Sequence, residues 1–132
     1  MIEGRCLCGA VHWTYDGVPE DATACNCTAC RRYGTLWAYD WEGGVIALSG
    51  PVKAFARPVE HPALDFLFCE TCGCVAAWRG RKAQDNGHLP IAVNLRLAEP
   101  EAVAGIRMLR FDGLDTFEDV DPLGRSVGDM WY

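Results

Sequence analysis

The sequence predicts a mainly β fold of antiparallel strands with little helix. Apolar residues recur with a period of two, short apolar runs are separated by turn residues, and eight cysteines fall in tight clusters within 132 residues. Alternation of apolar and polar residues is typical of half-buried strands. The length suits one core, so residues 1–132 are predicted to form a single domain.

The first predicted strand runs from Cys6 to Tyr15. Its odd positions are apolar, whereas Cys6 and Cys8 share the opposite face because side chains alternate along a strand. A Cys-x-Cys pair in a strand would already be half of a metal site.

Further strands are predicted at short apolar runs bounded by turn residues such as Gly43-Gly44 and Asn86-Gly87. The runs are Thr35–Tyr39, Val45–Leu48, Val52–Ala56, Leu64–Cys69, Val75–Trp78, Ile91–Leu97 and Ile106–Phe111. The segment from Ala98 to Gly105 is predicted to form one short helix. The acidic segment from Asp112 to Asp121 is predicted to be a solvated surface.

Composition excludes several classes of partner. The formal net charge is −6, so the chain gains nothing from phosphate neutralisation and no nucleic-acid partner is expected. No apolar run approaches the roughly 20 residues that span a bilayer, and Met1 to Arg5 lack the apolar segment of a signal peptide. We therefore expect a cytoplasmic protein without a membrane partner. No feature predicts its oligomeric state.

The cysteines lie in three clusters: Cys6-Leu7-Cys8, Cys25-Asn26-Cys27-Thr28-Ala29-Cys30 and Cys69-Glu70-Thr71-Cys72-Gly73-Cys74. In a reducing compartment, clustered thiols favour metal binding over disulfides. Soft thiolate ligands favour zinc or an iron–sulfur cluster, and the familiar cluster spacings are absent. Zinc is the expected metal.

Spacing leaves two ways to divide the ligands. In one, Cys27/Cys30 and Cys69/Cys72 form a single zinc ribbon. In the other, Cys6/Cys8 join Cys69/Cys72 in a four-sulfur site, and the middle cluster forms a three-sulfur group. Four protein ligands close a structural site, whereas three leave a position for water or substrate. The second division therefore predicts a catalytic zinc site, whereas the first predicts only a structural one.

Three linked motifs resemble the glutathione-dependent formaldehyde-activating enzyme family. They are Gly4-Arg5-Cys6-Leu7-Cys8-Gly9-Ala10-Val11, then Cys25-Asn26-Cys27-Thr28-Ala29-Cys30-Arg31 with Gly34, then Phe68-Cys69-Glu70-Thr71-Cys72-Gly73. Their order and spacing agree with the family over roughly the first 75 residues.

The resemblance implies a β-tent fold of packed antiparallel sheets stapled by two Zn²⁺ per chain. It assigns structural zinc to Cys6, Cys8, Cys69 and Cys72, and catalytic zinc to Cys25, Cys27 and Cys30. It also implies a carbon–sulfur lyase-like reaction in which glutathione and formaldehyde form S-hydroxymethylglutathione. Cys27 would be the catalytic thiolate that yields when glutathione arrives.

Cys74 departs from the family pattern, which has a small non-thiol residue after Cys72-Gly73. It is either an inert buried thiol, since free cysteine behaves as a small hydrophobe, or a fourth ligand that closes the second zinc site. Its place at the start of a predicted strand beside the first site favours the inert role.

Other polar and aromatic residues give weaker predictions. Arg31 and Arg32 follow the second cluster and are candidates to bind the carboxylates of glutathione. His12, His61 and His88 are candidate bases, although surface or supporting roles are commoner, and His12 is placed to shield the first site. The five tryptophans are predicted to be core residues, with Trp37 and Trp41 the candidates for a ligand pocket.

Three function hypotheses follow. The first is a zinc-dependent carbon–sulfur lyase-like enzyme that acts on a glutathione–aldehyde adduct or a related thiol adduct. The second is a non-catalytic zinc domain that binds a thiol or a protein partner. The third is a thiol-redox enzyme such as a methionine sulfoxide reductase, which would need a reactive cysteine apart from the zinc ligands, and only Cys74 is left for that role.

Overall fold

The computed structural model of the chain describes residues 1–120 and 124–131. Within these residues the strands, in chain order, are β1 (Ile2–Arg5), β2 (His12–Tyr15), β3 (Asp21–Cys25), β4 (Trp37–Trp41), β5 (Ile46–Ser49), β6 (Val52–Phe55), β7 (Leu64–Cys69), β8 (Val75–Gly80), β9 (Pro90–Asn94), β10 (Arg107–Phe111) and β11 (Asp119–Val120). The helices are α1 (Cys30–Tyr33) and α2 (Pro100–Val103), with 3₁₀ turns at Leu95–Leu97 and Val127–Met130.

The strands form two sheets. The smaller has the order β1-β2-β5 and the larger the order β11-β10-β3-β4-β9-β8-β7-β6. Every described pair is antiparallel except β3 with β10, which run parallel with Cys25 opposite Phe111. The mainly β prediction is confirmed, and the parallel pair is an addition that local periodicity does not reveal.

Side chains of both sheets meet in one buried cluster. Trp13 and Ile46 come from the smaller sheet, and Ala38, Ala77 and Val93 come from the larger. Trp13 and Val93 are fully buried. Burial of apolar area is the main favourable contribution to folding, so this shared core holds the sheets together as expected for packed sheets of a β-tent.

The predicted strand from Cys6 to Tyr15 is wrong in its first half. Residues 6–11 form the turn between β1 and β2, closed by hydrogen bonds from Gly9 N to Cys6 O and from Cys6 N to Val11 O, both 2.9 Å long. Gly9 has a φ of 80°, a backbone conformation that glycine adopts without steric strain. The Cys-x-Cys pair therefore sits in a tight turn, and Leu7 is exposed.

Other boundaries also shift. The predicted helix from Ala98 to Gly105 is reduced to the single turn of α2, which has a proline at its start. The run Ile91–Leu97 ends as a strand at Asn94, whose side chain accepts a hydrogen bond from Arg96 N and begins a 3₁₀ turn. Strands β1 and β3 were not predicted, because neither shows a strong apolar alternation.

The acidic segment is exposed from Leu114 to Val120, as expected of a solvated surface, but it also has regular structure. It contains β11 and an ordered loop before that strand, while Asp121 lies outside the described residues. Among the described helices, none has the length and apolar character needed to cross a bilayer.

Candidate functional site

Four cysteines converge where the two sheets meet. Cys6 and Cys8 come from the β1–β2 turn, Cys69 ends β7, and Cys72 lies in the β7–β8 turn. Their sulfurs all lie within 4.8 Å of one another, with 3.6 Å from Cys8 Sγ to both Cys6 Sγ and Cys69 Sγ. Zinc–sulfur bonds of about 2.3 Å give a tetrahedron with edges of about 3.8 Å. The donor set therefore fits a closed zinc site, here called the four-sulfur cluster.

Backbone N–H groups surround these sulfurs. Val11 N donates to Cys6 Sγ at 3.2 Å. The backbone N–H groups of Cys74 and Cys8 lower the pKa of the Cys72 thiol to about 6. Donors aimed at a thiolate favour its charged form, so the turns offset negative charge that four sulfurs would concentrate at one point.

A second group of three cysteines lies at the end of β3. Cys25 ends the strand and Cys30 begins α1, and the sulfurs of Cys25, Cys27 and Cys30 lie within 4.8 Å of one another. The intervening turn is held by Cys27 N donating to Cys25 Sγ at 3.4 Å and Cys30 N donating to Cys27 Sγ at 3.3 Å. These residues, here called the cysteine trio, could hold a metal ion and leave one tetrahedral position open.

Two side chains from distant segments contact the trio. Trp37 Nε1 donates to Cys30 Sγ at 3.2 Å. Arg57 Nη2 lies 3.6 Å from Cys27 Sγ, and its Nη1 donates to Thr28 Oγ1 at 2.7 Å. Such partners orient metal ligands and stabilise their charged forms. The indole of Trp37 and the guanidinium of Arg57 therefore both place N–H donors beside sulfurs of the trio.

The thiols of the trio differ in acidity. Burial raises the pKa of Cys30 to about 12, despite the opposing hydrogen bond from Trp37. Burial also opposes ionisation of Cys27, but the backbone N–H of Cys30 and neighbouring donors outweigh it, so the pKa of Cys27 is lowered. Without metal, the negative charge of the trio therefore favours the sulfur that Arg57 contacts.

A loop after β10 closes over the trio from the other side. Asp112 Oδ1 accepts from Asn26 Nδ2 at 3.0 Å, and Leu114 N donates to Asn26 Oδ1 at 3.1 Å. A Cβ atom on Gly113 would lie 2.6 Å from Cys25 Sγ. Only glycine lets the backbone approach this sulfur so closely.

The trio forms part of the wall of a cavity of about 580 Å³. The cavity is lined by Cys25, Cys27, Thr28, Cys30, Trp37, Tyr39, Arg57, Val59, His61, Pro62, Ala63, Leu64, Phe66, Trp78, Phe111, Gly113, Leu114 and Phe117. Its size falls within the range typical of small-molecule sites. A ligand in this cavity can reach the sulfurs directly.

Arg31 and Arg32 are not among the residues that line this cavity. Both are exposed on α1, and Arg32 Nη1 donates to Thr28 O at 2.9 Å. Arg57 is the arginine that lines the described cavity instead. Sequence analysis missed Arg57 because it is separated from the trio along the chain and belongs to no motif.

The histidines divide between surface and cavity. His12 Nδ1 lies 2.6 Å from Ser49 Oγ, so its partner is a hydroxyl of β5 and not a sulfur of the four-sulfur cluster. His61 lines the cavity. His88 lies beside Trp41, with ring centroids 6.4 Å apart and the rings tilted by 43°.

The tryptophans also divide. Trp13 is a core residue, as predicted. Trp37 and Trp78 line the cavity, whereas Trp41 is absent from its described lining. Of the two tryptophans predicted to line a ligand pocket, only Trp37 is therefore in the described lining of this cavity, and Trp78 is there in place of Trp41.

Cys74 lies beside the four-sulfur cluster. Leu7 N donates to its sulfur at 3.4 Å, and it is not grouped with the trio. It therefore does not close the open position of the trio. All eight cysteines, each within the described residues, are free thiols.

The sequence model of the glutathione-dependent formaldehyde-activating enzyme family matches residues 1–104. The fold resembles a crystal structure of a Rhodobacter sphaeroides protein, determined as a structural genomics target, with a TM-score of 0.57 and 22% identity over 74% of this chain and 88% of that chain. The comparison with curated proteins finds no match.

Proposed function

Because the chain belongs to the glutathione-dependent formaldehyde-activating enzyme family, we propose that it is a zinc-dependent enzyme that joins glutathione to an aldehyde. In reverse it acts as a carbon–sulfur lyase on the same adduct. The observation that carries this proposal is the cysteine trio in the wall of a ligand-sized cavity. A purely structural zinc domain needs no such cavity beside a three-sulfur group.

The two groups of cysteines have different roles in this proposal. Cys6, Cys8, Cys69 and Cys72 would hold a structural zinc ion, which would link a turn of the smaller sheet to a turn of the larger one. Cys25, Cys27 and Cys30 hold the catalytic ion. Zinc bound by the trio would lower the pKa of an incoming thiol, so that thiolate is present at neutral pH.

The reaction needs neither oxidant nor reductant. A bond forms between the thiol sulfur and the carbonyl carbon, and the thiol proton is transferred to the carbonyl oxygen. In the lyase direction the same proton returns to sulfur as the carbon–sulfur bond breaks. His61 lines the cavity and is the histidine available to carry that proton.

Arg57 has two tasks. Its guanidinium contacts Cys27 Sγ and Thr28 Oγ1, so it stabilises negative charge on the sulfur that would yield to substrate. Arginine also presents several N–H donors in a fixed fork. The remaining donors are available to a carboxylate of glutathione.

A neighbouring cavity offers further cations for the polar ends of glutathione. It shares His61, Pro62, Ala63, Leu64 and Trp78 with the first cavity, and its lining includes Arg81 and Lys82. Arg81 is paired with Asp65 at 2.7 Å. Lys82 is therefore the better candidate to meet a second carboxylate.

Metal content and exchange kinetics test the proposal together. Zinc-loaded protein is expected to hold two ions per chain and to accelerate formaldehyde–glutathione exchange, followed by NMR exchange spectroscopy, above the uncatalysed rate. Cys25→Ser and Cys27→Ser should each lose the acceleration. Cys74→Ser is the matched control, because this thiol lies outside the trio, and it should retain the rate.

Exchange at the uncatalysed rate in wild-type protein that holds two ions would overturn the enzyme proposal. The hypothesis of a non-catalytic zinc domain that binds a thiol would then be favoured. The redox reading requires Cys74 to be reactive, and its absence from the described cavity lining counts against that.

A further inference from the structure

The cavity beside the trio is unusually aromatic for a site that would receive formaldehyde. Outside the trio, its described lining is mostly apolar, and six of those residues are aromatic: Trp37, Tyr39, Phe66, Trp78, Phe111 and Phe117. Arg57 is the lone lysine or arginine in that lining, which contains no carboxylate. Formaldehyde has two heavy atoms and no apolar surface that such walls could bury.

The aromatic rings are tilted toward one another. Trp37 and Trp78 meet edge to face, at 76° and 6.5 Å between centroids. Tyr39 lies 5.8 Å from Trp78 at 57°. Tilted rings present both faces and edges, which is the arrangement that an additional aromatic ring prefers.

The mouth of the cavity is apolar on both sides. Val59 is 57% exposed on one side, and Leu114 and Phe117 are 58% and 70% exposed on the other. An exposed apolar patch at a cavity mouth commonly marks a binding surface. These side chains would be covered by an apolar ligand that enters between them.

Part of this wall lies outside the stretch that matches the family. Phe111, Leu114 and Phe117 follow residue 104, where the match ends. The trio and Arg57 lie within the matched stretch. The family match therefore covers the reacting end of the cavity and four of its six aromatic residues, whereas Phe111, Leu114 and Phe117 lie beyond it.

We infer that the aldehyde partner carries an aromatic ring, which sits against Trp78, Phe111 and Phe117 while its carbonyl carbon faces the trio. This inference rests on the proposed function and names its substrate class. Glutathione sulfur bonds to the carbonyl carbon of this aldehyde, and the thiol proton moves to the carbonyl oxygen. The product is an aryl-substituted hemithioacetal, and the lyase direction releases the aldehyde.

Binding of stable analogues tests the apolar wall without turnover. Zinc-loaded protein is titrated with S-benzylglutathione and with S-methylglutathione, and tryptophan fluorescence and calorimetry report binding. Burial of the phenyl ring should make S-benzylglutathione bind about 10- to 100-fold more tightly. Equal affinity for the two thioethers would overturn the inference.

A substitution that fills the cavity sharpens this comparison. Ala63 is exposed at the cavity wall, so Ala63→Phe should fold and should remove most of the benzyl preference. Ala54→Phe is the matched control, since Ala54 is an exposed residue of β6 outside the cavity lining. An unchanged benzyl preference in Ala63→Phe would also overturn the inference.

Exchange kinetics separate this inference from the proposed function. Phenylacetaldehyde exchange with glutathione should be accelerated over its uncatalysed rate by at least about tenfold more than formaldehyde exchange. Acceleration of formaldehyde alone would overturn the aryl inference and leave the enzyme proposal standing. Acceleration of neither aldehyde would overturn both.

Discussion

The indole nitrogen of Trp37 donates a hydrogen bond to the sulfur of Cys30 over 3.2 Å. Trp37 belongs to β4 and pairs with Thr23 of β3, and it is almost fully buried. One side chain thus joins the core of the larger sheet to the cysteine trio. Loss of this donor should therefore reduce the metal affinity of the trio more than it reduces the stability of the fold.

Trp37→Phe should lower the affinity of the cysteine trio for zinc by about 10- to 100-fold, because the variant keeps an aromatic ring but removes a donor to a ligand sulfur. Competition with a chromophoric chelator measures this affinity. Trp41→Phe is the matched control, since Trp41 is partly exposed and outside the cavity lining. Equal zinc affinities in the two variants would contradict a role for the N–H group.

Arg57→Ala should lower kcat/KM by about 10- to 100-fold, because it removes hydrogen bonds to a charged sulfur and to substrate. Arg57→Lys should give an intermediate value, since lysine keeps the charge without the fork. Steady-state kinetics at saturating zinc measure both. Arg31→Ala and Arg32→Ala should have the kcat/KM of wild type. A larger loss of kcat/KM in either variant than in Arg57→Ala would support the substrate role that the sequence motif suggested for these two arginines.

Gly113→Ala should lower zinc content from two ions per chain toward one. The added Cβ would lie 2.6 Å from Cys25 Sγ, so the loop or the sulfur must move. The four-sulfur cluster lies elsewhere and should keep its ion. Elemental analysis after dialysis against a mild chelator measures the ratio.

Gly105→Ala is the control for that substitution, because nothing lies within 4 Å of a Cβ there. It should keep both ions, with stability unchanged or raised by roughly 0.4–1 kcal/mol. Two retained ions in Gly113→Ala would contradict the requirement for glycine at the contact between this loop and Cys25.

Asp112 predicts a pH effect in the loop over the trio. The side chain of Asn26, with backbone N–H groups of Thr116 and Asp115, lowers the pKa of its carboxyl to about 2 from the ordinary 3.8. A lowered native pKa stabilises the folded state above the ordinary value, and that contribution is lost as pH falls through the native value.

Asp112→Asn should therefore have a lower Tm than wild type at pH 6, and the difference should shrink between pH 4 and pH 2. Asp115→Asn is the control, because Asp115 contributes its backbone N–H and not its carboxylate to the loop. A Tm difference that stays constant with pH in Asp112→Asn would contradict the assigned role of the carboxylate.

Some features could be predicted because their signal is local. Strand β7 matches the predicted run Leu64–Cys69 residue for residue, because a short apolar run between turn residues is a local signal. Metal binding by clustered thiols was expected from cysteine spacing within a few residues. The assignment of the zinc roles to individual cysteines stays a prediction, as do the single domain and the cytoplasmic location.

Other features depended on chain segments meeting in space. Cys8 and Cys69 are 61 positions apart, yet their sulfurs lie 3.6 Å apart, and no local pattern chooses that pair over Cys27 with Cys69. The parallel pairing of β3 with β10 brings Gly113 onto Cys25. The β6–β7 connection brings Arg57 to Cys27.

Local sequence patterns predicted the thiolate donor set and most of the strands, because cysteine spacing and short apolar runs are properties of a few neighbouring residues. Tertiary structure decided which sulfurs lie together, which arginine reaches them and how apolar the cavity is. Those properties depend on long-range strand pairing and on burial, which only the folded chain defines.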